Sequence, residues 1–460
     1  MRRGFKHAAA PISVYGSSVA TRHDVSRRGA PRFAAVLVSA VLALPAIASA
    51  QVRSTIIGPG VKRFPIAISP LKDVSPGGAA GRFDLVLARD LELSGIFRVI
   101  PSDTYIENAQ TSGITAEAIN FENWSVIGAL ALVKGATERH GDELVIEARL
   151  FDVAEHRQLA GRRFRGRSGD EGRMANRFAD EIIQYFTGER GPFDSEIVFL
   201  STRGGRFKDV YVMNANGDNV RRITSANTLN LSPSWAPDRR SLIITSFLNG
   251  NPDLFSVALP GGRLTKLSSL RGLNLGGHWS PDGRLIAVTL EYDGNPEIAL
   301  LNPDGSLLRR LTDHWGVDVS PTWSPDGQSL AFCSDRSGAP QIYVMGVNGG
   351  APRRVSTSGT YNTSPSWSPK GDRIAYASRV GGRFQIFTVK ADGSDVQQVT
   401  TGAGSNEDPS WSPDGRYLVF SSTRRGAAKL YLSDAAGANQ VQLTDGNGSD
   451  SSPSWSSWLE

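Results

Sequence analysis

Ser320-Pro321-Thr322-Trp323-Ser324-Pro325-Asp326-Gly327 opens a unit that continues through Ser329-Leu330-Ala331-Phe332-Cys333-Ser334, Gln341-Ile342-Tyr343-Val344-Met345 and Arg353-Arg354-Val355-Ser356. Each run is short, rich in β-branched or aromatic residues and bounded by Gly, Pro, Asp or Asn, so the unit reads as four β-strands. Ser324-Pro325-Asp326-Gly327 suits a type I turn, because Pro presets the first turn dihedral, Asp bonds locally and Gly follows without steric cost. Ser280-Pro281-Asp282-Gly283 and Ser412-Pro413-Asp414-Gly415 repeat it intact, while Ala236-Pro237-Asp238-Arg239 and Ser368-Pro369-Lys370-Gly371 are degenerate copies.

Outward from this unit, Trp235, Trp279, Trp323, Trp367, Trp411 and Trp455 follow one another at intervals of 44 residues. Helical repeats of similar length are excluded by the Pro and Gly placed in every unit, and four strands in about 44 residues match a β-propeller blade. The last tryptophan strand, at Ser452-Pro453-Ser454-Trp455, has no later strands after it. Conversely, Glu196-Ile197-Val198-Phe199-Leu200 and Tyr211-Val212-Met213 look like the later strands of a blade with no first strand before them. The two deficits are complementary. The expectation is a six-bladed β-propeller over 194–460, closed by its C-terminal strand.

Residues 51–193 read as an α/β domain. Phe64–Ile68 and Phe97–Ile100 are strands, and Phe83, Val86, Leu87 and Leu91 recur at helical spacing with Gly95 as a stop. Ala129–Glu138 and Glu143–Val153 form a hairpin, and Met174, Phe178, Ile182 and Tyr185 form a final amphipathic helix ending near Gly188.

The chain has 460 residues, a size that suits two or more domains, and 40% hydrophobic against 21% charged residues marks it as globular. Its net charge of +5 is concentrated at the start, since residues 1–50 hold seven basic groups and one acid, Asp24. Beyond them 43 basic groups face 44 acidic ones, a net of −1, which removes the electrostatic case for nucleic acid. Arg27, Arg28 and Arg32, the apolar run Phe33–Leu44 and Ala48-Ser49-Ala50 together predict a signal peptide over 1–50, cleaved before Gln51, with no membrane span in the mature chain. Cys333 is the single cysteine and cannot pair internally.

Catalytic chemistry is sparse. No G-x-S-x-G, H-E-x-x-H or phosphate loop occurs, and His278 and His314 read as solvated loop residues. No catalytic, metal or cofactor residue is assigned. One constellation stands out: Asn230, Asn274, Asp318, Asn362, Asn406 and Asp450 each precede a repeat tryptophan by five residues. At the head of the innermost strand of each blade, they are expected to ring one mouth of the channel and meet a polar partner, unless they serve as local turn caps.

The S-P-x-W-S-P-D-G units, the signal and the preceding α/β domain resemble the TolB family, with Thr187-Gly188-Glu189-Arg190-Gly191-Pro192-Phe193 at the junction and Gln51-Val52-Arg53 at the mature start adding to the likeness. The resemblance implies a non-catalytic periplasmic adaptor of the Tol-Pal system that supports outer-membrane integrity and constriction at cell division. It implies that the propeller binds the lipoprotein Pal through loops before the innermost strands, along Leu273-Asn274-Leu275-Gly276 and from Trp315 to Ser320, including Asp318 and Val319, on the face that also holds Asn230, Asn362, Asn406 and Asp450. It implies as well that Gln51, Val52, Arg53, Ile56 and Ile57 bind TolA, which works with TolQ and TolR. A periplasmic hydrolase or lyase and a glycan-binding propeller are the alternatives.

Overall fold

The computed structural model describes residues 62–75 and 81–459. The predicted signal over 1–50 and the expected TolA segment, Gln51, Val52, Arg53, Ile56 and Ile57, lie outside the described residues.

The first part is one sheet backed by helices. Its elements are β1 (Phe64–Ile68), β2 (Lys72–Asp73), α1 (Gly81–Leu93), β3 (Phe97–Val99), α2 (Phe121–Val126), β4 (Ala131–His140), β5 (Glu143–Asp152), β6 (Arg157–Arg167) and α3 (Glu171–Thr187). The sheet runs β3-β1-β4-β5-β6, with β2 beside β4. β1 is parallel to both neighbours, whereas β4, β5 and β6 form an antiparallel meander. α1 buries Phe83, Val86, Leu87 and Leu91, the residues at helical spacing, and stops where Gly95 takes φ +70°. α3 buries Met174, Phe178 and Ile182 and ends at Gly188, whose N–H caps the Gln184 carbonyl. Ile183 and Phe186 complete its buried large apolar side chains, whereas the expected Tyr185 is only half buried.

Strand β6 was not legible in the sequence. It carries Arg157, Arg162, Arg163, Arg165 and Arg167 and buries only Phe164, so no alternating apolar signal marks it.

Six four-stranded antiparallel sheets follow, five of them consecutive in the chain. The sixth, here blade 1, is completed by Asp450–Trp455, which pairs with Glu196–Ser201 so that Asp450 faces Ser201 and Trp455 faces Ile197. Blades 2 to 6 start at Asn230, Asn274, Asp318, Asn362 and Asn406. The tryptophan period has a physical cause in packing between blades. Trp235, Trp323 and Trp411 each donate their indole N–H to a carbonyl on the innermost strand of the preceding blade: Ser454, His278 and Ser366, at 3.0, 2.9 and 3.1 Å. The predicted turn forms as read, with the Gly327 N–H on the Ser324 carbonyl and the Ser324 hydroxyl on Asp326.

The two parts share one hydrophobic cluster. It runs from Ile66, Phe83 and Phe178 of the sheet and helices to Met213, Tyr417 and Trp455 of blades 1 and 6. Polar contacts fix the seam: Tyr417 donates to the Ser94 carbonyl at 2.9 Å, Asn216 to Asp90 at 2.8 Å, and Trp458 to the Gly191 carbonyl at 2.7 Å. On the propeller these residues sit at the tryptophan ends of the innermost strands. Among the described residues these seam contacts all lie at that end and not at the opposite mouth, where the Asn and Asp residues begin the innermost strands.

Candidate functional site

Each innermost strand is broken in the middle. Its register with the second strand shifts between the second and fifth residues in all six blades, and the third residue is left-handed: Ser232, Gly276, Ser320, Ser364, Asp408 and Ser452 have φ between 48° and 59°. Such β-bulges re-aim the side chains that precede and follow them. The consequence is a correction. Asn230, Asn274, Asp318, Asn362, Asn406 and Asp450 do not line the opening, because all six side chains are buried in the body of the ring.

Most of their polar atoms are engaged there, although Asn230 Oδ1, Asp318 Oδ1 and Asn362 Oδ1 have no hydrogen-bond partner among the described residues. Asp318 accepts from Arg336, Asn406 from Arg424, and Asp450 from Arg203, at 2.6, 2.8 and 2.8 Å. Asn362 and Asn406 donate to Gln341 and Gln385, and Asp450 accepts from Lys429; all three partners lie on the third strand of the preceding blade, within its first three residues. Asn230 donates to the Lys208 carbonyl, while Asn274 holds its own loop through Ser268, Leu270 and Gly272. The six residues are staples between and within blades. Burial pushes the Asp318 carboxyl up, and the Ser334 hydroxyl and Arg336 pull it back down.

What faces the mouth is the next layer. Of the other expected contacts, Ser320 is exposed, Val319 and Leu273 are partly exposed, and Gly276 is buried with its N–H on Thr245. Around them stand apolar side chains in the loops, Leu229, Leu248, Leu270, Trp315, Val317 and Tyr361, all exposed. Trp315 is 73% exposed and packs on His314. Large apolar groups concentrated on one face mark an interaction surface. Sequence patterning missed most of them, because loop residues share no period with a strand.

Three arginines escaped the sequence reading as well. Arg203, Arg336 and Arg424 each lie over two aromatic rings of their own blade, Phe199 and Tyr211, Phe332 and Tyr343, and Phe420 and Tyr431. The equivalent place holds Leu248, Tyr292 and Val380 in the other blades, a regularity present in the repeat alignment.

His278 is not a loop residue. It lies on the innermost strand of blade 3 (Asn274–Trp279), where burial lowers its pKa to about 4 and leaves the ring neutral. With Thr322, Ser366, Ser410, Ser454 and Trp458 it lines a cavity of about 440 Å³ at the tryptophan end of the channel. His314 is a loop residue as expected, and its Nδ1 accepts from the Gly316 N–H. Among the described residues no three His, Cys, Asp or Glu side chains converge as a metal site, and no helix is long and apolar enough to cross a membrane.

Comparison with known proteins agrees with this architecture. Residues 183–459 match the TolB beta propeller domain, and residues 52–159 match the TolB amino-terminal domain. The Tol-Pal system protein TolB of Syntrophotalea carbinolica is 41% identical over 216 residues, 46% of this chain and 49% of that protein. The protein of the same name from Geobacter sulfurreducens is 40% identical over 222 residues, with 46% and 49% covered. The chain spans about half the length of the curated relatives it matches. The crystal structure of TolB from Acinetobacter baumannii superposes with a TM-score of 0.76 over 86% of this chain and 97% of that one; at 24% identity the likeness speaks for the fold. With one family model on its α/β part and another on more than half its length, the chain belongs to the TolB family.

Proposed function

We propose that this chain is a non-catalytic periplasmic adaptor of the Tol-Pal system, made of an α/β domain over 51–193 and a propeller over 194–460, and exported by the signal over 1–50. In this reading the open mouth of the propeller binds Pal, and the segment Gln51–Ile57 binds TolA and through it TolQ and TolR. The adaptor thereby supports outer-membrane integrity and envelope constriction at division.

The observation that carries the reading is the exposed apolar face around Trp315 and Val317, on a ring whose buried polar groups are spent on staples rather than gathered into an acid/base set. The names of the curated relatives support the system assignment. Trp315→Ala is the informative probe, because the Trp315 ring is exposed whereas the side chains of Asn274 and Asp318 are buried. Calorimetric titration with soluble Pal should show weaker binding to Trp315→Ala, and deletion of residues 51–57 should abolish TolA binding while sparing Pal. Unchanged Pal affinity in Trp315→Ala would remove the mouth from the reading. A glycan-binding propeller is the second reading, favoured by the hydroxyl-lined cavity at neutral His278. Envelope extract passed over the immobilised protein separates the two, through retained Pal or retained glycan.

A further inference from the structure

The open mouth is electrically lopsided. On the arc formed by blades 5, 6 and 1, four arginines are exposed where the second and third strands meet, Arg379 and Arg383 at the strand ends of blade 5 and Arg425 and Arg206 in the turns of blades 6 and 1, with Lys208 beside them. None of the four arginines pairs with a carboxylate among the described residues; Arg425 reaches only Gln442, and Arg206 lies over Phe207. Glu407, Asp408 and Asp445 are the partly or fully exposed acids on that arc, and Asp408 accepts from the hydroxyls of Ser364 and Ser452. The arc across the channel, blades 2 to 4, carries Glu291, Asp293, Asp313 and Asp335 instead. Its basic groups are Lys266, Arg271, Arg310, Arg336 and Arg354, of which Lys266 pairs with Asp253, Arg310 with Glu297 and Asp313, and Arg336 with buried Asp318. The exposed apolar residues Leu229, Leu248, Leu270, Trp315 and Val317 lie on this second arc, with Trp315 by far the most exposed at 73%, while Phe207 and Val380 stand among the arginines of the first.

Folding does not account for the basic arc. Exposed, unpaired arginines contribute nothing to the packing of the blades, and crowding them on one arc adds self-repulsion. Recognition does account for it. Six near-equivalent blades present a partner with six similar rotational settings, and a ring with its unpaired arginines on one side and its most exposed apolar side chain, Trp315, on the other removes that degeneracy. Charge acts at long range and orients an approaching partner, whereas apolar anchors act only on contact and hold it.

We propose that this face takes a globular protein bearing a carboxylate patch beside an apolar one, and that the basic arc of blades 5, 6 and 1 sets its rotational register while Trp315 and Val317 anchor it. The inference rests on the adaptor reading and adds the chemistry and orientation of the partner at the same mouth. Surface charge reversal does not endanger the fold here, since Arg206 and Arg425 lie outside the strands, and unchanged circular dichroism checks this.

The test measures association and dissociation rates of the soluble domain of Pal from the same bacterium across a salt series. The double variant Arg206→Glu, Arg425→Glu should associate about 10-fold or more slowly at low salt, keep its dissociation rate within about 3-fold, and lose its difference from the unaltered protein near 0.5 M salt. Trp315→Ala should do the reverse, dissociating about 10-fold faster with an unchanged association rate. Binding by the unaltered protein with no salt-dependent change in the charge variant overturns the register while leaving the adaptor reading intact. No binding by the unaltered protein overturns both.

Discussion

Asp450→Ala puts the closure of the ring on a quantitative footing. The Asp450 carboxylate is fully buried at the head of the strand that completes blade 1. It accepts from Ser201 Oγ at 2.6 Å, Arg203 Nη2 at 2.8 Å and Lys429 Nζ at 3.3 Å. One side chain from the last strand therefore grips the strand it must pair with and the blade on its other side. Alanine leaves both cations without their carboxylate, and their side chains are 22% and 10% exposed. Removing one partner of a buried ion pair costs about 3–5 kcal/mol, and the residual hydration of Arg203 places the expectation at about 3–4 kcal/mol. Asn230→Ala is the control. It stands at the same place in blade 2, but its amide only donates to two backbone carbonyls, and its loss should cost about 1–2 kcal/mol. Urea unfolding followed by tryptophan fluorescence reads the difference, and hydrogen exchange locates it. Protection should fall first in Asp450–Trp455 and Glu196–Ser201. A cost equal to that of the control, or exchange spread evenly over the six blades, would refute the argument that this carboxylate locks the ring.

Trp455→Ala should cost about 3–5 kcal/mol in the same unfolding assay, because the ring is 7% exposed in the cluster shared by the two parts and its N–H bonds Ser195 Oγ at 2.7 Å. Burial pushes the Asp84 carboxyl up to about 7, against the pull of the Leu71 N–H. Its contribution to stability is thus fully present below about pH 4 and lost as pH rises through about 7, at no more than about 1.4 kcal/mol per pH unit; urea unfolding at pH 5 and 7 should show a shallower slope in Asp84→Asn. Burial also pushes the Cys333 thiol up to about 12, so native protein should resist a thiol reagent that labels the urea-unfolded chain at the same pH, and equal labelling of both would contradict its burial.

Much of the architecture was legible because a propeller repeats one local pattern. The Trp spacing, the Ser-Pro-Asp-Gly turns and the complementary ends each follow from rules that act within a blade, and packing adds nothing that reverses them. The helices α1 and α3 were legible for the same reason, as their apolar stripes need only a surface to cover. Strand β6 was not, because its place depends on pairing with β5 rather than on its own arginine-rich composition.

The functional face divides along the same line. That an Asn or Asp heads every innermost strand was plain in the sequence, but the direction of its side chain was not. Direction follows from the bulge centred on residues such as Ser320 and Ser364, which shifts the register and turns the heading residue into the body of the ring. The charged arc was hidden for a different reason. Arg206 and Arg425 stand at opposite ends of the repeat, and only the return of Asp450–Trp455 to Glu196–Ser201 makes blade 1 the neighbour of blade 6. Local propensity and periodicity were therefore enough for the sequence to determine a six-bladed ring behind an α/β domain. Which residues that ring buries as staples, and which it gathers on one open face, depended on backbone parity and cyclic closure, and those exist only in three dimensions.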